Sequence, residues 1–312
     1  MSKPFFSVVI PTFNQSNYLK RALKSVVSQK FHSYEIIVID NFSNDKTRSV
    51  VKSFKKKNII YKKIRNRGII SKSRNKGINI SKGKWIAFLD SDDTWDKDKL
   101  SKIYEIIKNE NFEVICNDEW IVTKNKKSKK IWRYGPYKKN FYKYLLEFGN
   151  CMSTSGSAVK KSFLMKNKII FSERIDFVTA EDFDFFLKIA KKNGKFFFLH
   201  IPLGQHLFHN RSASSNHAKH KASVKAVFKS HIFKYKKFDQ DKEKIWKKAN
   251  FLLTFEEFII KLKNNEMNSN LFVKVFSFIV SNPFFSALFI YKIVIKKLMH
   301  IYLLKKNIIF QN

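Results

Sequence analysis

The chain has 312 residues, 44% of them hydrophobic and 16% aromatic, enough to bury one large core or two modest ones. Its formal net charge is +37, but the lysines are spread along the whole length beside many Ile, Asn and Phe. That pattern is a global bias, not a phosphate-tracking face, so a nucleic-acid partner is not expected; attraction to anionic headgroups and polyphosphates is.

Only Cys116 and Cys151 occur, which excludes a disulfide framework and fits a reducing compartment. Met1-Ser2-Lys3-Pro4 leads into a strand pattern with no apolar leader, so a cytoplasmic location is expected.

Elements follow in alternation. Phe5 to Ile10 is a β-rich run ended by Pro11, and Leu19, Ala22, Leu23, Val26 and Val27 recur at helical spacing. Glu35 to Ile39 is a second strand ending at Asp40, and Ser43-Asn44-Asp45 can cap a helix bearing Val50, Val51 and Phe54. Ile59 to Ile64 reads as a strand, Ser71 to Ile80 as a helix, and Lys84 to Leu89 as a fourth strand. Such alternation predicts βαβ units and a mostly parallel sheet. Right-handed crossovers bring successive strand ends to one edge. Thr12 to Asn14, Asp40 to Asn41 and Asp90 to Asp93 therefore converge.

From Lys99 to Ser215 the pattern is less regular. It predicts a helix near Ser101 to Lys108, a strand near Glu113 to Asn117, a basic loop from Lys124 to Lys130, and a small-residue segment from Ser153 to Ala158. A helix opening on Glu181-Asp182 and a strand from Phe196 to His200 follow. After His217 the chain reads as helical. The uncharged run Val275 to Tyr291 is broken by Asn282-Pro283, whereas a spanning helix wants about 20 continuous apolar residues. Amphipathic helices lying on the inner membrane surface, anchored by Lys292, Lys296, Lys297, Lys305 and Lys306, are expected. A buried helical subdomain is the alternative.

The strand Trp85 to Leu89 runs straight into Asp90-Ser91-Asp92-Asp93. Ligands bind outside the carboxyl ends of such strands. Three clustered carboxylates repel unless a cation joins them, and magnesium takes one or two carboxylates plus substrate phosphates. A solvated acidic turn before the helix near Asp98 is the plain alternative. Arg74 and Lys76 in Ser73-Arg74-Asn75-Lys76-Gly77 lie near a helix start, where free N–H groups favour phosphate. His206 and His209, at i and i+3, suit either a phosphate-facing or metal-supporting role or ordinary packing, and no third zinc ligand accompanies them.

Four motifs in order resemble the family 2 glycosyltransferases. They are Ile10-Pro11-Thr12-Phe13-Asn14, Asp40-Asn41-Phe42-Ser43-Asn44-Asp45, Asn66-Arg67-Gly68 with Ser73-Arg74-Asn75-Lys76-Gly77, and Asp90-Ser91-Asp92-Asp93. Ala180-Glu181-Asp182-Phe183-Asp184 is similar to an acceptor-side segment of that family, with Ala where Gly is usual. Asn41 stands where Asp is commoner.

The resemblance spans residues 5 to 215 and implies a GT-A fold: an α/β, Rossmann-like, mixed but mostly parallel sheet flanked by helices. It marks a glycosyltransferase domain over 1–215, made of a nucleotide-sugar half (1–98) and an acceptor half (99–215). The remaining 216–312 carries no motif of the family and is expected, from its own pattern, to be a helical, membrane-associating region. The resemblance also implies donor contacts at Pro11, Thr12, Phe13, Asn14, Asp40, Asn66, Arg74, Asp90 and Ser91. Asp92 would bind a divalent cation, Mn²⁺ or Mg²⁺, with His209 as a possible second ligand. Asp182 would be the general base and Glu181 would orient the acceptor side.

The implied reaction is inverting transfer from a nucleotide-diphospho-sugar, with uridine as the expected base, to a glycan or lipid-linked acceptor in bacterial surface polysaccharide synthesis. The protein would work peripherally at the inner face of the membrane. A non-catalytic binding relative and a sugar nucleotidyltransferase are the rivals. The first would lack Asp92 or Asp182, and the second wants a Gly-rich basic loop after strand one, where this chain has Pro11 to Asn14.

Overall fold

A computed structural model describes residues 3–56, 58–123, 126–209, 216–234, 240–263 and 269–287. The chain divides into two compact units, residues 1–142 with 151–227, and residues 143–150 with 228–312.

The first unit is built on one nine-stranded sheet. Strands β1 (Phe6–Thr12), β2 (Tyr34–Asp40), β3 (Ile59–Lys63) and β4 (Trp85–Phe88) form its parallel part, in the order β3-β2-β1-β4. Helices α1 (Ser16–Val27), α2 (Thr47–Ser53) and α3 (Ile70–Ile80) make the crossovers. Val8, Val9 and Ile10 are fully buried, as are Leu19, Ala22 and Leu23 on the apolar face of α1. A strand covered on both faces reads as a continuous apolar run, which is why β1 was legible. Helix α3 approaches the sheet so closely that a Cβ at Gly77 would lie 2.3 Å from Val9 Cγ1. Glycine there sets the depth of the helix that carries Arg74.

The rest of the sheet mixes directions. Beyond β4 come β8 (Ser157–Lys160), β6 (Val114–Thr123), β9 (Phe196–Phe208) and the short β5 (Thr94–Trp95), with β7 (Lys126–Trp132) paired to β6. Strand β8 runs antiparallel to β4, pairing Ala158 with Ala87, so the segment entering β8 lies beside the carboxyl end of β4. Strand β9 is parallel to β6 and antiparallel to β5, pairing Thr94 with Gln205. Helices α4 (Lys99–Asn109), the start of α5 (Phe141–Phe148), α6 (Lys161–Lys166), α7 (Glu181–Lys191) and most of α8 (His217–Lys229) complete the unit.

Two expectations need correction. The basic segment expected as a loop from Lys124 to Lys130 forms strand β7 from Lys126 onward; residues 124 and 125 lie outside the described residues. Its hydrogen bonds to β6 override a lysine-rich composition of low strand propensity. The strand expected to end at His200 runs to Phe208. Pro202 and Gly204 ordinarily end a strand. Here the register shifts around Asp118, opposite Pro202, and pairing resumes at Trp120 and Gln205.

In the second unit, α9 (Lys242–Lys263) and α10 (Ser269–Ser281) pack through Phe251 and Phe278, whose rings stack at 4.0 Å. Lys143 pairs with Asp241 at 2.9 Å and Lys248 with Glu147 at 2.7 Å. No helix among the described residues is long and apolar enough to cross a membrane. The anchoring lysines from Lys292 onward lie outside the described residues.

Candidate active site

The carboxyl ends of β1 and β2 are cross-tied. Asn14, at φ 49°, donates its N–H to Ser43 Oγ at 2.9 Å, and its Oδ1 accepts from Asn44 N–H at 2.9 Å. Asp40 is fully buried. Its Oδ1 accepts from Ser43 N–H at 3.0 Å and Ser43 Oγ at 2.5 Å, and its Oδ2 accepts from Tyr61 Oη at 2.5 Å. Any further partner must share those oxygens. Beside it, Thr12 is buried and its hydroxyl has no hydrogen-bond partner among the described residues. Phe13 is 53% exposed. An unpartnered buried hydroxyl beside an exposed aromatic ring is chemistry suited to a nucleoside.

Asn66 shapes the loop that enters α3. Its N–H donates to Asn41 Oδ1 and its Nδ2 to Ser73 Oγ, both at 2.9 Å, and its Oδ1 accepts from Gly68 N–H at 2.9 Å. Arg74, one turn into α3, joins two carboxylates. Nη2 contacts Asp90 Oδ1 at 2.7 Å and Nη1 contacts Glu181 Oε1 at 2.6 Å. Its Nε is buried and has no hydrogen-bond partner among the described residues. Burial alone would raise the Asp90 carboxyl, but the Arg74 guanidinium more than offsets this and holds it below the usual carboxylate range.

The four residues of the acidic strand end play unequal parts. Asp90 also accepts from Thr154 Oγ1 at 3.1 Å, and its own N–H donates to Ser155 Oγ at 3.0 Å. Ser91 Oγ donates to Gln15 Oε1. Asp92 meets His209 Nε2 at 2.9 Å, and that imidazole stacks on Tyr18 with centroids 5.2 Å apart. Burial, with Asp93 and Asp90 adding like charge, pushes the Asp92 carboxyl up to about 6. Asp93 turns inward, accepting from Leu207 N–H at 2.9 Å and pairing with His206 Nδ1 at 3.2 Å. Burial opposes a charge on His206, yet the Asp93 carboxylate prevails and lifts it to about 10. Asp93 and His206 thus pin β9 to the strand end, and the extension of β9 is what brings His209 to Asp92.

On the other side of Arg74, α7 opens with Glu181 and Asp182. Thr179, at φ 90°, donates its N–H to Glu181 Oε2 at 2.9 Å. The Phe183 N–H donates to Asp182 Oδ1 at 2.8 Å. Burial and the neighbouring Glu181 push the Asp182 carboxyl up to about 7, with Arg74 pulling the other way. A carboxylate poised near neutrality is suited to taking a proton. Asp184 faces away, salt-bridged to Lys188 at 2.6 Å.

No cluster of three or more His, Cys, Asp or Glu side chains that could hold a metal ion occurs among the described residues. Asp92 and His209 nonetheless fit a divalent cation that takes its remaining ligands from phosphate and water. Two like charges disfavour the Asp92 carboxylate, and a cation would relieve that repulsion. Arg74, Asp90 and Glu181 are brought together directly, and Asp92 joins His209; among the described residues, Asn66 reaches Asp40 through its neighbour Asn41. Sequence reasoning missed Tyr61, Thr154, Ser155 and the fully buried Lys99, residue types that carry no motif of their own.

This arrangement has known counterparts. The sequence profile of Glycosyl transferase family 2 matches residues 7–168. The glycosyltransferase MJ1057 of Methanocaldococcus jannaschii, named as uncharacterized, is 31% identical over 203 residues, covering 63% of this chain and 68% of its own length. Poly(ribitol-phosphate) beta-N-acetylglucosaminyltransferase TarP of Staphylococcus aureus is 32% identical over 251 residues, 73% of each chain. In fold, the chain resembles S. aureus TarS in complex with UDP, with a TM-score of 0.60 at 21% identity over 79% of this chain and 70% of that one. The fold is that of a GT-A transferase. The chain belongs to glycosyltransferase family 2 and is a transferase enzyme.

Proposed function

We propose that this enzyme moves a sugar from a uridine diphospho-sugar to a glycan or lipid-linked acceptor, with inversion, in the assembly of a bacterial surface polysaccharide. The observation that carries the reading is Arg74. One buried guanidinium grips Asp90 at the end of β4 and Glu181 at the start of α7, linking the strand-end cluster to the helix that bears Asp182. The relatives support it in kind: TarP is named for transfer of N-acetylglucosamine to poly(ribitol-phosphate), and TarS has been crystallised with UDP and with UDP-GlcNAc.

In this reading Pro11, Thr12, Phe13, Asn14 and Asp40 take the nucleoside, and Asn66 and Arg74 border the phosphates. Asp90 and Ser91 face the ribose or sugar side. Asp92, with His209, would hold Mn²⁺ or Mg²⁺, which stabilises the charge that develops on the diphosphate. Asp182 accepts the proton of the acceptor hydroxyl as its oxygen bonds to the anomeric carbon. The bond from that carbon to the diphosphate oxygen breaks, and its electron pair leaves with the nucleotide. Attack opposite the leaving group inverts the anomeric centre. Glu181, held by Arg74, keeps the first turn of α7 in place.

The test is a panel of nucleotide-sugars incubated with and without Mn²⁺ or Mg²⁺, followed by assay of released nucleotide. Metal-dependent release with at least one donor is expected, and Asp92→Ala should lower it by at least about 10²-fold. No release from any donor, or an unchanged Asp92→Ala, would overturn the reading.

A further inference from the structure

A buried polar layer holds the Ser153–Gly156 segment that contacts Asp90. Lys99, the first residue of α4, is fully buried. Its Nζ donates to the Ser155 carbonyl at 2.6 Å and lies 4.5 Å from the Trp95 ring centroid. Trp95 Nε1 donates to the same carbonyl at 2.9 Å. Glu119, on β6 and also fully buried, accepts from Tyr134 Oη at 2.8 Å and from Ser153 Oγ at 2.7 Å, both through Oε2. Ser153 Oγ in turn accepts from Gly156 N–H at 3.0 Å. The segment is therefore held at one end by an ammonium and at the other by a carboxylate. Between them, Thr154 and Ser155 make the two hydrogen bonds to Asp90 described above.

Stability alone does not account for these charges. Burying an ion is expensive, and well-packed apolar residues of similar volume often serve a core as well or better. No ion pair joins Lys99 to Glu119, so neither neutralises the other by direct contact. Burial pushes the Lys99 ammonium down to about 8, although Glu119 pulls it back up. What the two charges do achieve is fixation of Ser153, Thr154 and Ser155, which precede Gly156, whose carbonyl accepts from the Asn117 N–H of β6 at 3.0 Å.

We propose that Lys99 and Glu119 are positioning residues for sugar transfer, setting the Ser153–Gly156 segment so that Thr154 and Ser155 present Asp90 to the donor in the orientation that Arg74 grips. The inference rests on Asp90 facing the donor. It adds a layer to the site that touches neither donor nor acceptor.

The test uses the full chain and the variants Lys99→Met, Glu119→Gln, Thr154→Val and the double Lys99→Met/Thr154→Val. Rates with the best donor are measured alongside thermal midpoints and amide exchange of the segment containing Asp90. Lys99→Met and Thr154→Val should each lower kcat/KM for the donor by about tenfold, and the double variant by no more than the larger single loss, because both act through Asp90. Exchange at Asp90 should rise in Lys99→Met while its thermal midpoint is kept. An unchanged rate in Lys99→Met, or losses that multiply in the double variant, would overturn the proposal. Should Lys99→Met not fold, Glu119→Gln combined with Thr154→Val reads the same coupling. If wild-type protein releases nucleotide from no donor, the reading of the reaction fails instead. Asp90 exchange then decides the positioning claim by itself: unchanged exchange overturns it.

Discussion

Asp182 and Arg74 differ in what the physics asks of them. Arg74 must stay charged, and two carboxylates hold it so; a lysine could not span both with a planar fork. As the proposed base, Asp182 must instead take up and release a proton. Its carboxyl is lifted to about 7, so the fraction able to act as base grows as pH rises through neutrality. The rate of transfer should therefore climb about tenfold per pH unit below about 6 and level off above about 8. Asp182→Asn should lose between about 10² and 10⁴ in kcat and flatten that limb. The sign for stability is opposite. A carboxyl raised above its unfolded value of 3.8 favours the folded state most at low pH, and that contribution is lost as pH rises through about 7. A pH–rate profile with no ascending limb near neutrality would remove Asp182 from the role of base.

At the scale of elements, the site depends on where strands end, and legibility followed burial. β1, β2 and β4 were readable because both faces are covered and the runs are apolar. Their carboxyl ends, with Thr12, Asp40 and Asp90, followed from the crossover rule. β9 was not readable to its end, because Pro202 and Gly204 carry the local signal of a stop while the pairing to β6 and β5 is a long-range fact. Ser153 to Ala158 was visible only as small residues; its contacts with Asp90 come from lying beside β4 through the antiparallel β8. Asp93 shows the same limit. Within its motif it looked like one more carboxylate, yet its partner His206 lies on β9 and makes it a fastener. His206→Gln should leave the buried Asp93 without its cation and cost roughly 3–5 kcal/mol. His206 is raised from 6.5 to about 10, so its ion pair contributes fully below 6.5. The gap between wild type and variant should hold near pH 6 and shrink as pH rises toward 10. Denaturant midpoints measured across that range check it; a gap independent of pH would mean that His206 acts by packing alone.

At the scale of the molecule, two features lie outside the transfer site and suit the same location. The net charge of +37 is spread, and so favours any anionic surface without choosing one. We expect helix α10 to supply the choice. Its buried side holds Leu271 and Val275, while Phe272, Val273, Phe276 and Val280, with Phe284 just beyond, are all more than half exposed. Phe272, Phe276, Val280 and Phe284 recur every fourth residue and form one stripe along the helix. Apolar patches of this kind on a basic protein fit the interfacial layer of an anionic bilayer, where apolar burial and headgroup attraction add. We therefore predict that the protein sediments with vesicles containing anionic phospholipid and not with purely zwitterionic ones, and that added salt weakens the association by screening its electrostatic part. Replacing Phe272, Phe276 and Val280 with Ser should lower vesicle binding at least about tenfold while leaving nucleotide release from the donor unchanged. If the triple variant binds as wild type does, charge alone accounts for the attraction. If wild type ignores anionic vesicles altogether, the stripe on α10 serves something other than a membrane.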